Sequence, residues 1–263
     1  MSTPVMSAVV MRSPVLRTNP VARMAAALIL SVAIIVSLDP VSAGVALALE
    51  LVVFATLRIP PRLFWTRTAP IWIAGPLAAL TIALYGRTDG QIYAEFLLVR
   101  VSDGSLALAL ATGLRVLAIG LPAVVLLLGV DPTELADGLI QKLRLPARPV
   151  VGALAGMRLL TLFRQEWHSI ELARRARGVA DHGRIRRFAG QAYALLVMSI
   201  RRGSALATAM EARGFGAPGP RTNARVSRWG TAEWLVIAGG AAIGAIAVTA
   251  AVVSGFWSPL VGG

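Results

Sequence analysis

From Met24 to Leu57 only two side chains, Asp39 and Glu50, carry charge. A run this apolar needs burial or lipid, and a membrane-spanning helix takes roughly 17–25 mostly apolar residues. Asp39-Pro40 breaks the run, so it reads as two short helices, about 22–38 and 41–57, joined by a tight turn. A secretory signal is the alternative, with Arg23, an apolar run and Val41-Ser42-Ala43 as the cleavage site. The long leader and the second apolar run that follows at once favour the two helices.

Three more apolar stretches follow, about 69–85, 106–129 and 232–254. Trp65 and Trp72 lie near the start of the first, and Trp234 and Trp257 lie at the two ends of the last, as suits an interfacial aromatic belt. Only 15% of the residues are charged and mean hydropathy is +0.71, whereas soluble domains carry about 25% charged residues. The expected fold class is an all-α membrane protein with about five transmembrane helices.

The net charge of +13 raises the possibility of nucleic acid. Its distribution argues against that partner, because the arginines fall in loops between apolar segments. Arg12, Arg17 and Arg23 lie before or at the first span; Arg58, Arg62 and Arg67 lie between the second and third. The 86–105 loop sets Asp89, Glu95 and Asp103 against Arg87 and Arg100, and 131–230 is rich in arginine. The positive-inside rule then puts the N-terminus, the 58–68 loop and 131–230 in the cytoplasm, and the C-terminus outside.

Several chemistries are excluded. The chain has no cysteine, so thiolate metal sites and cysteine nucleophiles are ruled out. Lys142, the single lysine, lacks the glycine spacing of a P-loop. The acids are scattered, with no clustered catalytic set. His168 shares a helix face with Glu171, but two ligands without a third read as a solvated face rather than a metal site.

The region after residue 130 is different. It reads as a short helix, 132–143, then two long amphipathic helices, roughly 149–177 and 187–213, each apolar at first and charged later. The implied organisation is an N-terminal extension (1–20), four spans (21–130), a cytoplasmic-side domain of these three helices (131–217) and a C-terminal span (218–263). The two long helices end alike, in Ala173-Arg174-Arg175-Ala176-Arg177-Gly178 and Ala209-Met210-Glu211-Ala212-Arg213-Gly214. Glycine after a helical run is a stop signal, and arginine in the last turn favours the helix dipole.

Paired helices ending in Ala-Arg-Gly, with Leu143-Arg144-Leu145-Pro146 and Arg158 within an apolar run, resemble the T components of energy-coupling-factor transporters, the EcfT/CbiQ family. The resemblance runs from about residue 20 to 255 and is strongest over 131–216. It implies a non-catalytic coupling subunit of an ATP-driven importer for vitamins or transition metals, in a bacterial cell membrane. It implies as partners two cytoplasmic ATPases, which bind the ATP, and one substrate-binding membrane subunit; the chain itself would hold no cofactor. Ala176, Arg177 and Gly178 would dock in one ATPase, and Ala212, Arg213 and Gly214 in the other.

Arg174, Arg186, Arg187, Arg201 and Arg202 read instead as topology anchors or lipid-headgroup contacts, with Arg175 intermediate. Glu50 and Arg115 are the intramembrane charges; each lies nine residues or so below the outer start of its helix, so they are expected to pair. Gly240 and Gly244 form a small-residue face for close helix packing. A stand-alone transporter or channel is the alternative function, and it leaves the paired Ala-Arg-Gly ends unused.

Overall fold

A computed structural model describes residues 13–37, 39–57, 59–86, 90–96, 99–178, 183–217 and 222–255. Arg12, Arg58, Arg87, Asp89, His182, Trp257 and the turn at 218–220 fall outside them. Eight α-helices are described: α1 (Pro20–Ile35), α2 (Pro40–Thr56), α3 (Pro61–Tyr85), α4 (Asp103–Leu126), α5 (Pro132–Gln141), α6 (Ala147–Ala176), α7 (Arg184–Ala212) and α8 (Thr231–Val253). This is an all-α membrane protein.

The helix starts follow from local chemistry. Pro20, Pro40 and Pro61 each open a helix, where a missing N–H is harmless. Asn19 accepts a bond from Val21 N at 3.0 Å, and Asp39 caps α2 through Ser42 N. Ser102 and Ser105 cap α4 reciprocally. At α8, Glu233 accepts from Gly230 N at 2.7 Å and from Asn19 N at 3.2 Å, which ties the starts of α1 and α8 together.

The stretch 90–102, read as a polar loop, contains a two-stranded antiparallel hairpin: β1 (Ile92–Phe96) and β2 (Val99–Ser102), with Glu95 opposite Arg100. Asp103 fastens it, accepting from Gln91 N at 3.2 Å. A hydrogen bond to Asp103, and then its charge, push the Tyr93 phenol above its ordinary pKa.

The chain divides into two compact units, Met1–Gly138 with Ser227–Gly263, and Leu139–Val226. In the first, α3, α4 and α8 have 25, 24 and 23 residues and are long and apolar enough to cross a membrane. Helices α1 and α2, at 16 and 17 residues, are apolar but shorter; at 1.5 Å per residue each is about 25 Å long. The helix core gathers Leu30, Ile34, Leu47, Phe54, Leu121 and Val125.

Small residues set the closest approaches. A Cβ on Gly113 would lie 3.0 Å from the Ala79 Cβ, so α4 and α3 touch there. A Cβ on Gly240 would lie 2.8 Å from the Ala26 carbonyl, and one on Gly244 would lie 2.7 Å from the Ala33 Cβ. Those two glycines therefore seat α8 against α1. Because Ala26 meets Gly240 and Ala33 meets Gly244, α1 and α8 run parallel. Arg23 and α4 show the opposite sense: buried Arg23 donates from Nη1 to the carbonyls of Leu126 and Leu128, each at 3.2 Å, while Arg115 near mid-α4 reaches Ile34. Thus α4 ends, and α8 begins, on the side of the bundle where α1 starts.

In the second unit, α6 and α7 form an antiparallel hairpin. The ring centroids of Trp167 and Phe188 are 5.4 Å apart. Glu171 pairs with Arg187, Glu166 with Arg202, and Arg148 reaches Gly216. Partners on α7 and just beyond it recede as those on α6 advance. No residue of α6 is buried, and Leu160, Tyr193 and Ile200 are largely exposed.

Candidate functional site

The two Ala-Arg-Gly motifs finish α6 and α7 in the same conformation. Arg177 has φ −89° and ψ 5°, and Arg213 has φ −89° and ψ 11°. The following glycines, Gly178 and Gly214, have φ of +66° and +78°, which an L side chain adopts only under strain. Gly178 N donates to Arg175 O at 3.0 Å, and Gly214 N to Glu211 O at 2.9 Å. Phe215 N then bonds Met210 O at 2.9 Å, completing a Schellman turn at the second motif.

All six motif residues, Ala176, Arg177, Gly178, Ala212, Arg213 and Gly214, are exposed. Among the described residues neither Arg177 nor Arg213 has an ion-pair partner. The motifs stand at opposite ends of the hairpin. Helix α7 has 29 residues, so about 43 Å of helix separates them.

Each end is braced differently. At the first, Glu171 pairs with Arg187 across the hairpin and with Arg175 at 2.8 Å on its own helix, and Arg174 Nη1 donates to Arg187 O at 3.3 Å. At the second, Arg148 Nη2 donates to Gly216 O at 3.2 Å. Arg213, Gly214 and Phe215 line a cleft of about 580 Å³ with Pro146 and Arg148.

These contacts correct part of the sequence reading. Arg174, Arg187 and Arg202, taken there as anchors, bind the two helices to each other. Their partners are cross-helix, and spacing along one helix does not reveal them. Glu171 Oε1 takes two arginines, Arg175 on its own helix and Arg187 across the hairpin.

Glu50 and Arg115 are not brought together. Arg115 Nε donates to Ile34 O at 3.4 Å and faces Asp39. Glu50 is 1% exposed and, among the described residues, neither of its oxygens has a hydrogen-bond partner. The expected pairing assumed that α2 and α4 start at one depth. They do not: Arg115, twelve residues into α4, is already level with the α1–α2 turn, and Glu50 sits lower, on the wall of a cavity that Pro122 and Leu126 also line.

Residues 11–224 match the protein family described as CbiQ, cobalt transport protein. The chain belongs to the CbiQ family. Among the relatives of this CbiQ-family chain is the "Energy-coupling factor transporter transmembrane protein EcfT" of Limosilactobacillus fermentum, 26% identical over 194 residues, 69% of this chain and 72% of the relative. Proteins of the same name from Thermanaerovibrio acidaminovorans (27% over 238 residues, 86% and 87%) and Exiguobacterium sibiricum (27% over 191 residues, 68% and 72%) are similar too. The matched span takes in both Ala-Arg-Gly ends.

Proposed function

We propose that this chain is the membrane-embedded coupling subunit of an energy-coupling factor importer, without catalysis of its own. It joins two cytoplasmic ATPases to a substrate-binding membrane subunit that takes up a vitamin or a transition-metal ion. The observation that carries the reading is the duplicated helix end: two exposed arginines in one backbone geometry, at opposite ends of one hairpin.

The chemistry supports it. A guanidinium offers a planar fork of donors that fits a carboxylate bidentately, so it holds direction as well as distance. At Arg213 a Schellman turn is a rigid mount for such a group, unlike a frayed helix end. Arg177 docks in one ATPase and Arg213 in the other. The cross-braced hairpin between them moves as one lever when the ATPases close on ATP. Its apolar outer faces are of the kind that partners or lipid cover. The cytoplasm holds the N-terminus and the hairpin, following the arginine distribution.

The test is a pull-down in detergent, comparing wild type with Arg177→Glu, Arg213→Glu and the double variant, and counting ATPase copies per chain. Each single variant is expected to lose one ATPase copy and coupled uptake, with at least about a tenfold loss of affinity, as for a charge pair broken at an interface. Normal ATPase occupancy and uptake in the double variant would refute the reading and leave the motifs as topology anchors.

A further inference from the structure

A cavity of about 300 Å³ in the membrane unit is walled by α1, α2, α4 and α8, with Leu30, Glu50, Phe54, Leu235 and Gly239 among its residues. Its wall is almost wholly apolar. The two polar side chains on it are Thr18 and Glu50. Thr18 already gives its hydroxyl hydrogen to Val15 O at 2.7 Å. Glu50 differs: the residue is 1% exposed, and among the described residues neither carboxyl oxygen has a hydrogen-bond partner.

We infer that this crevice receives an apolar transmembrane helix of a partner membrane protein, which presents one hydrogen-bond-donating side chain to Glu50. A buried polar group in a membrane calls for a partner, and intramembrane acids mark sites where one is supplied. Water is a poor candidate, because an ordered buried water needs two to four polar partners and this wall offers one free group. A lipid tail brings no donor. A lipid headgroup stays at the interface, whereas Glu50 lies six residues, or about 9 Å, inside the α2 end at Thr56.

The α8 side of the crevice is shaped for a helix. A Cβ on Gly239 would meet nothing within 4 Å, although its neighbour Gly240 is pressed against α1. A glycine open to lipid lets another backbone come close. Leu235, one turn earlier on the same face, is 71% exposed. The inference rests on the coupling reading only in that a coupling subunit has a membrane partner to supply such a helix.

The chain has no cysteine, so Val253→Cys, at the exposed end of α8, takes a single fluorescent donor. The labelled full-length chain is placed in phosphatidylcholine vesicles with acceptor-labelled polyleucine transmembrane peptides. One peptide carries a single asparagine a third of the way along; the other is all leucine. The asparagine peptide is expected to bind about fivefold tighter, the size of one interhelical polar contact. Glu50→Leu should remove that preference and Glu50→Gln, which still accepts a bond, should keep it. Val53→Trp, which fills the crevice while leaving Glu50 intact, should weaken the asparagine peptide by a similar factor. Equal binding of the two peptides to wild type overturns the inference, as does a preference that survives Glu50→Leu or Val53→Trp. The assay contains no ATPase, so its failure leaves the docking of Arg177 and Arg213 untouched.

Discussion

Arg148, in the first turn of α6, donates to the carbonyl of Gly216 at 3.2 Å, so the start of one long helix holds the loop that follows the arginine ending the other. Gly216 itself has φ +91°, and a Cβ there would run into the Arg148 guanidinium at 2.6 Å. Removing the brace by Arg148→Ala should free the loop while leaving α7 helical. One exposed charged bond is worth about 1 kcal/mol. Amide exchange at 214–217 is therefore expected to quicken about fivefold, with no change at 177–178. Equal protection in both proteins would show that the contact carries no weight.

The two motif glycines should behave as a matched pair. At Gly178 and Gly214 an added Cβ meets no atom of the described residues within 4 Å, so the penalty expected there is that of the backbone. Alanine at either position is expected to destabilise its helix end by about 1 kcal/mol. Gly203, also in open space but inside α7, should respond oppositely, with Gly203→Ala gaining about 0.5–1 kcal/mol of helix propensity. Thermal denaturation in one detergent gives both signs in a single series.

The Glu171–Arg187 pair is only partly shielded, with side-chain exposures of 21% and 31%. Partly solvated pairs contribute about 0.2–1 kcal/mol and weaken with salt. A double-mutant cycle with Glu171→Gln and Arg187→Gln should return a coupling of that size in low salt, and close to none in 1 M salt. Arg175 shares the Glu171 carboxylate, so its truncation should raise the measured coupling slightly.

Adjacent glycines on α8 should part company. Gly240→Ala places a methyl 2.8 Å from the Ala26 carbonyl and is expected to cost about 1–3 kcal/mol. Gly239→Ala meets nothing and should be neutral or slightly stabilising. A stability loss at Gly239 as large as that at Gly240 would contradict the seating of α8 on α1.

Much of this could be read from the chain itself. The break between α1 and α2 was visible because Asp39-Pro40 interrupts an apolar run, but the start of α3 was not: the stretch 58–68, expected as a loop for its arginines and prolines, is mostly helix from Pro61 onward. The candidate site was visible because Ala-Arg-Gly recurs after 36 residues. What escaped was relative position. Nothing in the sequence says that Glu171 meets Arg187, or that the α1–α2 turn comes level with Arg115 rather than with the start of α4. Counting depth from each helix start made Glu50 and Arg115 look like neighbours. The hairpin at 92–102 was hidden by its loop-like polarity, since two strands of five and four residues leave little pattern to detect.

Helix α6 runs for 30 residues without burying one of them. Although α7 braces it, much of its apolar surface, Met157 and Leu160 included, stands exposed. An unassembled copy of this chain therefore displays the signature by which cells sort orphan subunits for degradation. If partners cover that surface, as the coupling reading holds, the abundance of the chain should track theirs.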